Sequence, residues 1–316
     1  MGSRMSDSNL MYIDGAWGAA SDGGTIEVIN PSTEYLSAFA DYLDAHADKL
    51  TESIVADIGC PRPVTSFMQV GLPLAELRSQ IGFAKDIEWE LEIGNSLVVK
   101  EPVGVVAAIA AWNLLVILVL RKVAPALIAG CTIVIKPSVD ASLCTFVLAR
   151  AAEAAGIPAG VFNLLTGRGE SVGEDLIHHP KVRMISCTGS TRAGWRISQV
   201  ATADVKRVHL ELGGKPAMMV LPGADIAGAV AATLNWTYIN TGQACSAFTR
   251  TLVPRDRFAA AIEISNAVVV GDRGRGHDHE VDRDGQRHAV RPRRRGVLGR
   301  RAVREGRLLE VKAIQL

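Results

Sequence analysis

Apolar positions along this chain follow two different rhythms. Over residues 35–55, Leu36, Phe39, Ala40, Leu43, Ala47, Leu50 and Ile54 return mostly at three- and four-residue intervals, which predicts one amphipathic helix ended by Gly59. A second helical stretch is expected over residues 72–91. From Val103 the rhythm changes to short, nearly continuous apolar runs separated by longer helical ones. Residues 103–110, 132–136, 161–165, 182–187, 205–210 and 217–221 predict strands; residues 114–128, 141–155, 169–178 and 191–201 predict the helices between them. Gly130 and Gly156 fall where two of those helices must end. The alternation predicts an α/β fold with a mostly parallel, Rossmann-like sheet covered on both faces, whose ligands sit beyond the carboxyl ends of the strands. Near the N-terminus, Tyr12-Ile13-Asp14-Gly15 and Thr25-Ile26-Glu27-Val28-Ile29 suggest a small β-hairpin closed by Asn30-Pro31-Ser32-Thr33-Glu34.

One run tests this soluble reading. Residues 102–120 carry no charge between Lys100-Glu101 and Arg121-Lys122, a length sufficient to span a bilayer. Gly104 and Asn113 interrupt it, and it divides better into a strand, a polar break at Trp112-Asn113 and the start of a helix. No membrane partner is therefore expected. With 316 residues, 48% hydrophobic content and a formal net charge of +1, the chain can bury a real core in about two domains. A balance so near neutral gives no whole-chain attraction to nucleic acid. The five cysteines form an odd set without paired short spacings, so neither a disulfide framework nor a zinc site is indicated, and a reducing cytoplasm fits. Met1-Gly2-Ser3-Arg4-Met5-Ser6-Asp7 is polar, so no secretory signal is expected.

The candidate chemistry lies between residues 211 and 246. Glu211-Leu212-Gly213-Gly214-Lys215 follows the strand-like Val208-His209-Leu210, and Asn240-Thr241-Gly242-Gln243-Ala244-Cys245-Ser246 sets a cysteine among small residues. A thiol there can be reached by a substrate, and a carboxylate from another strand end can act as base on it or on a water attacking its adduct. A small buried cysteine beside an ordinary Gly-Gly turn fits these two motifs equally well. Two further turns look suited to an anion: Thr188-Gly189-Ser190-Thr191-Arg192-Ala193-Gly194, which enters a helix, and Thr166-Gly167-Arg168-Gly169-Glu170-Ser171-Val172-Gly173. Neither matches the G-x-G-x-x-G fingerprint.

Taken in order, Trp112-Asn113, Lys136-Pro137-Ser138, Thr188-Gly189-Ser190 with Gly194, Glu211-Leu212-Gly213-Gly214-Lys215 and Gly242-Gln243-Ala244-Cys245 resemble the aldehyde dehydrogenase superfamily. The resemblance is nearly continuous over residues 101–256 and weaker over 11–34 and 38–61. It implies that Cys245 attacks an aldehyde carbon, that the Asn113 side-chain amide and the Cys245 backbone N–H hold the oxyanion, and that Glu211 activates the hydrolytic water. It implies NAD as cofactor, with NADP possible: Lys136 at the adenosine ribose, Gly189 and Ser190 at the pyrophosphate, Trp112 lining the cleft. Ser138, Gly173 and Gly213 are the remaining cofactor-site candidates. No metal is implied. Residues 1–212 would form the NAD(P)-binding domain and 213–272 part of a catalytic domain, with a homo-oligomer as the family's assembly.

The chain also departs from that pattern. The helix after Ser32-Thr33-Glu34 arrives where the family has an intervening strand and helix, so the first domain reads as shortened near residue 35. The family's Pro-Trp-Asn-Phe-Pro is here Ala111-Trp112-Asn113-Leu114-Leu115, which removes two prolines from the turn that aims Asn113. Val139 replaces the acidic residue that bonds the ribose hydroxyls, leaving the choice between NAD and NADP open. Residues 273–316 are rich in arginine and glycine and read as a non-homologous or disordered tail from a lost reading frame. A metal site at His277, Asp278, His279 and Glu280, or an arginine-rich nucleic-acid arm, are the weaker readings of that span. A truncated, inactive remnant is thus the alternative to an active dehydrogenase.

Overall fold

The computed structural model of the chain describes residues 11–13, 16–18, 31–274 and 310–314. Met11–Ile13 (β1) pairs antiparallel with Ala16–Gly18 (β2), while Thr25 to Ile29 lie outside the described residues. The helix expected over 35–55 is two helices, Pro31–Ala45 (α1) and Ala47–Ile58 (α2). They part at His46, at φ −116° and ψ 23°, whose ring lies 3.9 Å from that of Tyr42 and whose Nδ1 shares the Tyr42 carbonyl oxygen, at 2.8 Å, with its own backbone N–H at 3.1 Å. Gly59 ends α2 as expected, at φ 66° with its N–H on the Val55 carbonyl. A turn of helix, Arg62–Val64 (α3), leads into a π-helical segment, Thr65–Gly71, and then Leu72–Ala84 (α4).

The expectation of helix to residue 91 fails after Ala84. Glu90–Ile93 (β3) and Ser96–Val99 (β4) form an antiparallel hairpin turned at Gly94, where φ is +60°. Both strands are exposed along their whole length, so no buried face imposes the alternation that would have marked them.

The remaining elements follow the sequence closely. Val105–Ile109 (β5), Leu115–Ile128 (α5), Thr132–Lys136 (β6), Leu143–Ala154 (α6) and Phe162–Leu164 (β7) come first. Glu174–His178 (α7), Val182–Gly189 (β8), Thr191–Ala203 (α8) and Arg207–Leu212 (β9) follow. The five strands are all parallel, in the order β7-β6-β5-β8-β9. The uncharged run 102–120 is thereby divided between β5, a turn and α5, and among the described residues no helix is long and apolar enough to cross a membrane.

Alternation along the strands sorts the core into two faces. Val106, Ala108, Ile133 and Ile135 pack with Leu36, Phe39, Leu43, Leu50, Leu77, Leu120 and Leu148 on one side. Ala107, Ile185 and Cys187 pack with Leu176, Ile177, Ile197 and Val200 on the other. Asp57 of α2 reaches across to cap α6: Leu143 N–H donates to its Oδ2 at 2.8 Å, while the N-cap residue Ser142 supplies no side-chain bond.

Beyond β9, Ala217–Met219 (β10), Ile226–Thr237 (α9), Arg250–Pro254 (β11), Phe258–Gly274 (α10) and Glu310–Ile314 (β12) complete the chain. β10, β11 and β12 form a second parallel sheet with β11 at its centre. Of the span read as a non-homologous or disordered tail, Gly274 belongs to α10 and Glu310–Ile314 to a strand. His277, Asp278, His279, Glu280 and the arginine runs at 293–295 and 300–301 lie outside the described residues.

Candidate active site

Strand order reverses between β5 and β8, because the chain builds outward from β5 first through β6 and β7 and then through β8 and β9. At such a switch point the loops leaving neighbouring strands diverge and open a crevice at the carboxyl edge. Trp112 and Asn113 leave β5 on one side of it, and Gly189 and Ser190 leave β8 on the other. Ser190 caps α8, its Oγ accepting the Ala193 N–H at 3.2 Å, so the helix N-terminus lies at the carboxyl end of β8. Gly194 lets α8 lie against β9: a Cβ there would come within 2.7 Å of Leu212 Cδ1.

Asn113 is half-buried, and its side-chain Nδ2 donates to the Gln243 carbonyl oxygen at 2.9 Å. That contact brings the β5 loop to within two residues of Cys245 in the chain. The cysteine loop is held by an unusual turn in which Asn240, Thr241 and Gly242 all have positive φ, at 49°, 57° and 78°. Glycine adopts such values freely and asparagine tolerates them, but a β-branched threonine does so only when its surroundings require it. Thr241 Oγ1 bonds the Asn240 carbonyl and accepts from Gln243 Nε2, each at 2.7 Å.

Beneath this turn lies a buried polar cluster with no local motif to mark it. Gln69 and Asn240 are 0% and 2% exposed. Asn240 Nδ2 donates to the carbonyls of Asn113 (2.9 Å) and Gln243 (3.2 Å), and its Oδ1 accepts from Gln69 Nε2 and the Cys60 thiol, both at 3.3 Å. Gln69 also donates to the Asn113 carbonyl at 2.9 Å and accepts the Leu115 N–H at 3.0 Å. An unpaired member of such a cluster costs about 1–3 kcal/mol. The loops after β5 and α9 are therefore fastened together through Asn113.

All five cysteines are described, and only Cys245 is exposed. Burial raises the Cys187 thiol to about 11 despite the lowering effect of Lys122 and Lys136, and it raises those of Cys60 and Cys144 as well. Glu211 is exposed on β9, with its Oε1 3.8 Å from His209 Nε2. Arg121 of α5 relates the two candidates. Its guanidinium grips Glu76 at 2.7 and 2.9 Å, which raises its pKa, and the charges of Cys245 and Glu211 add to that effect. Next to it Lys122, 6% exposed, donates to Thr188 Oγ1 at 2.9 Å, and burial lowers its pKa. Arg121 and Lys122 were legible only as the charges bounding an apolar run.

The expected cofactor residues are arranged along the same edge. Lys136 is 5% exposed, its Nζ donating to the carbonyls of Pro137 (2.9 Å) and Gly167 (3.0 Å), and burial lowers its pKa. Gly173 leaves room beside it: a Cβ there would stand 3.7 Å from Lys136 Cε. Ser138 Oγ accepts the Asp140 N–H at 3.3 Å, and Gly213 N–H donates to the Gly189 carbonyl at 3.3 Å. Trp112 is 43% exposed. No group of metal-ligating side chains occurs among the described residues.

A five-stranded parallel sheet with helices on both faces and its strand order reversing between β5 and β8 defines a doubly wound α/β protein. A sequence model for the aldehyde dehydrogenase family matches residues 22–282, and the chain belongs to that family. Relatives include a 3-succinoylsemialdehyde-pyridine dehydrogenase from a Pseudomonas species, 34% identical over an alignment covering 85% of this chain and 65% of that one. An aldehyde dehydrogenase structure from Bartonella henselae superposes with a TM-score of 0.73 at 34% identity, covering 77% of this chain and 52% of that one. A mutant of aldehyde dehydrogenase C from Pseudomonas syringae, solved with NAD+ and octanal, gives a TM-score of 0.73 at 31% identity, covering 84% and 62%. The chain spans slightly less than two thirds of the length of the Pseudomonas relative.

Proposed function

We propose that the chain oxidises an aldehyde to a carboxylic acid, with Cys245 as nucleophile, Asn113 as oxyanion donor, Glu211 as base and NAD or NADP as hydride acceptor. The observation that carries this reading is the bond from Asn113 Nδ2 to the Gln243 carbonyl, beside the loop of the one exposed cysteine. In the first step the Cys245 thiolate adds to the aldehyde carbon, forming a C–S bond and an alkoxide. One amide hydrogen of Asn113 is engaged by Gln243, and the second is free in valence to meet that oxygen together with the Cys245 N–H. Loss of hydride from the same carbon leaves a thioester on Cys245. Glu211, exposed on its strand, takes a proton from a water that attacks the thioester; the C–S bond breaks and the acid leaves.

A dinucleotide held there would supply the hydride acceptor. Features that fit it are the α8 N-terminus at the switch point, the small Gly189, and the space beside Lys136 left by Gly173. Two of the three Lys136 N–H groups are engaged by backbone carbonyls, so a ribose hydroxyl could be met by the third. The test is formation of NADH or NADPH at 340 nm with a panel of aldehydes. Turnover is expected with the wild-type chain and none with Cys245→Ala, while Glu211→Gln is expected to retain a single-turnover burst.

A second reading is favoured by the turn Ala111-Trp112-Asn113-Leu114-Leu115, which lacks both prolines of the family motif: the chain would bind the dinucleotide without turning over. Calorimetric titration with NAD distinguishes the two. Saturable binding without turnover by any aldehyde would support the second reading and reject the first.

A further inference from the structure

The family motif Pro-Trp-Asn-Phe-Pro is altered here so that Leu115 stands in place of its second proline. A proline at that point has no N–H to satisfy and fixes its own φ, so the turn is stiffened by covalent structure. Leu115 brings back an N–H at the first residue of α5, where no helical carbonyl can accept it, and the residue is 2% exposed. In this chain the Gln69 side chain meets that N–H: Oε1 lies 3.0 Å from Leu115 N. The same amide donates from Nε2 to the Asn113 carbonyl at 2.9 Å and to Asn240 Oδ1 at 3.3 Å.

The amide can face only one way. Flipped, it would set its NH2 against the Leu115 N–H and its oxygen against two other oxygens. Gln69 is 0% exposed and comes from the π-helical segment Thr65–Gly71, whose wider turn interrupts the helix running into α4.

We infer that Gln69 is a positioning residue: it holds Asn113 by hydrogen bonds where the family motif does so with a proline ring. The assignment rests on the oxyanion role proposed for Asn113, but the clamp itself can be tested without it. Glutamine and proline are then alternatives rather than partners. A ring at position 115 would put its Cδ where the N–H hydrogen now meets Gln69 Oε1, so each should exclude the other. Leu114, at φ −132° and ψ 76°, already lies outside the α region that a following proline disfavours.

The test is a cycle of Gln69→Ala, Leu115→Pro and the double variant, read by thermal melting, by hydrogen–deuterium exchange of the segment around Asn113, and by aldehyde turnover. Gln69→Ala is expected to speed exchange at the Leu115 amide and to lower the melting temperature. Its kcat should fall roughly 10- to 100-fold, with KM for NAD little changed. Leu115→Pro alone should also lower the melting temperature, and the double variant should recover roughly half or more of both losses, which independent sites would not do.

Additive losses in the double variant, or unchanged exchange in Gln69→Ala, would overturn the inference. If Gln69→Ala does not fold, recovery of a cooperative melt on adding Leu115→Pro supports the clamp, and failure to recover it overturns the clamp. If wild type shows no turnover, the melting and exchange arms still decide on Gln69, and it is the oxidation reading that falls.

Discussion

The two faces of the five-stranded sheet are packed very differently. On the face carrying Val106, Ala108, Ile133 and Ile135, the side chains of α1, α2, α4, α5 and α6 close a thick layer that includes Phe39, Leu43, Leu50 and Leu77, each 0% exposed. Among the described residues the opposite face is covered by α7 and α8, with Leu176, Ile177, Ile197 and Val200 over Ile185 and Cys187. The outermost strand, β9, is exposed at Arg207, Val208, His209 and Glu211. The thick side braces the turn bearing Asn113, through α5 and the Gln69 cluster. The thin side delivers Glu211 on a strand with little behind it.

The contrast can be broken most forcefully from the thick side. Phe39→Ala should cost about 3–5 kcal/mol, because the ring is fully enclosed between helix and sheet and its cavity cannot collapse easily. Denaturant unfolding measures this, with loss of Asn113-dependent turnover expected in step with loss of fold. A smaller effect is expected on the thin side. Gly194→Ala drives a methyl toward Leu212 Cδ1 and should cost about 1–3 kcal/mol. Because Leu212 adjoins Glu211, thioester hydrolysis should slow more than the burst that precedes it, a difference visible in pre-steady-state traces. Equal slowing of both steps would show that β9 does not aim Glu211.

Exposed charges should matter less. Arg78 pairs with Asp41 at 2.8 Å and with Asp44, all on accessible surface, so Arg78→Ala is expected to change unfolding free energy by less than about 1 kcal/mol. The smallest change at neutral pH is expected for Asp57→Asn, since asparagine caps a helix about as well as aspartate and the difference stays under about 1 kcal/mol.

Its pH dependence is more informative. Burial raises the Asp57 carboxyl above its ordinary value of 3.8, against the lowering effect of the backbone N–H groups of Leu143, Cys144 and Ser142. The folded state therefore holds this proton more tightly than the unfolded chain does. Asp57's contribution is full below the ordinary value and is lost as pH rises through the raised one. Melting curves across that window should show Asp57→Asn gaining on wild type as pH increases; a gain as pH falls would reverse the assignment.

Much of the fold was legible because the strands of the large sheet are buried. Near-continuous apolar runs such as Thr132–Lys136, set between helical ones, leave few alternatives to a parallel layer. Elements that bury little gave a weaker signal. The hairpin Glu90–Val99 is exposed on both strands and reads as the end of a helix. His46 interrupts α1 and α2 without changing the apolar spacing, so the helical phase runs straight through it.

The site divides in the same way. Cys245, Glu211 and Asn113 could be singled out because each stands in a local motif. Gln69, Asn240 and Arg121 act through partners such as Leu115, Asn113 and Glu76, which lie 46, 127 and 45 residues away. No local pattern encodes such a bond.

By itself, then, the amino-acid order determined the strands and helices of the large sheet, and which residues carry reactive groups. Those properties are local: period, side-chain type, and the glycines that allow a turn. The tertiary structure alone decided that one cysteine of five is exposed, that Arg121 pairs with Glu76, and that a buried glutamine stands against the N–H of Leu115. Burial and hydrogen bonding are properties of neighbours in space, and only folding chooses the neighbours.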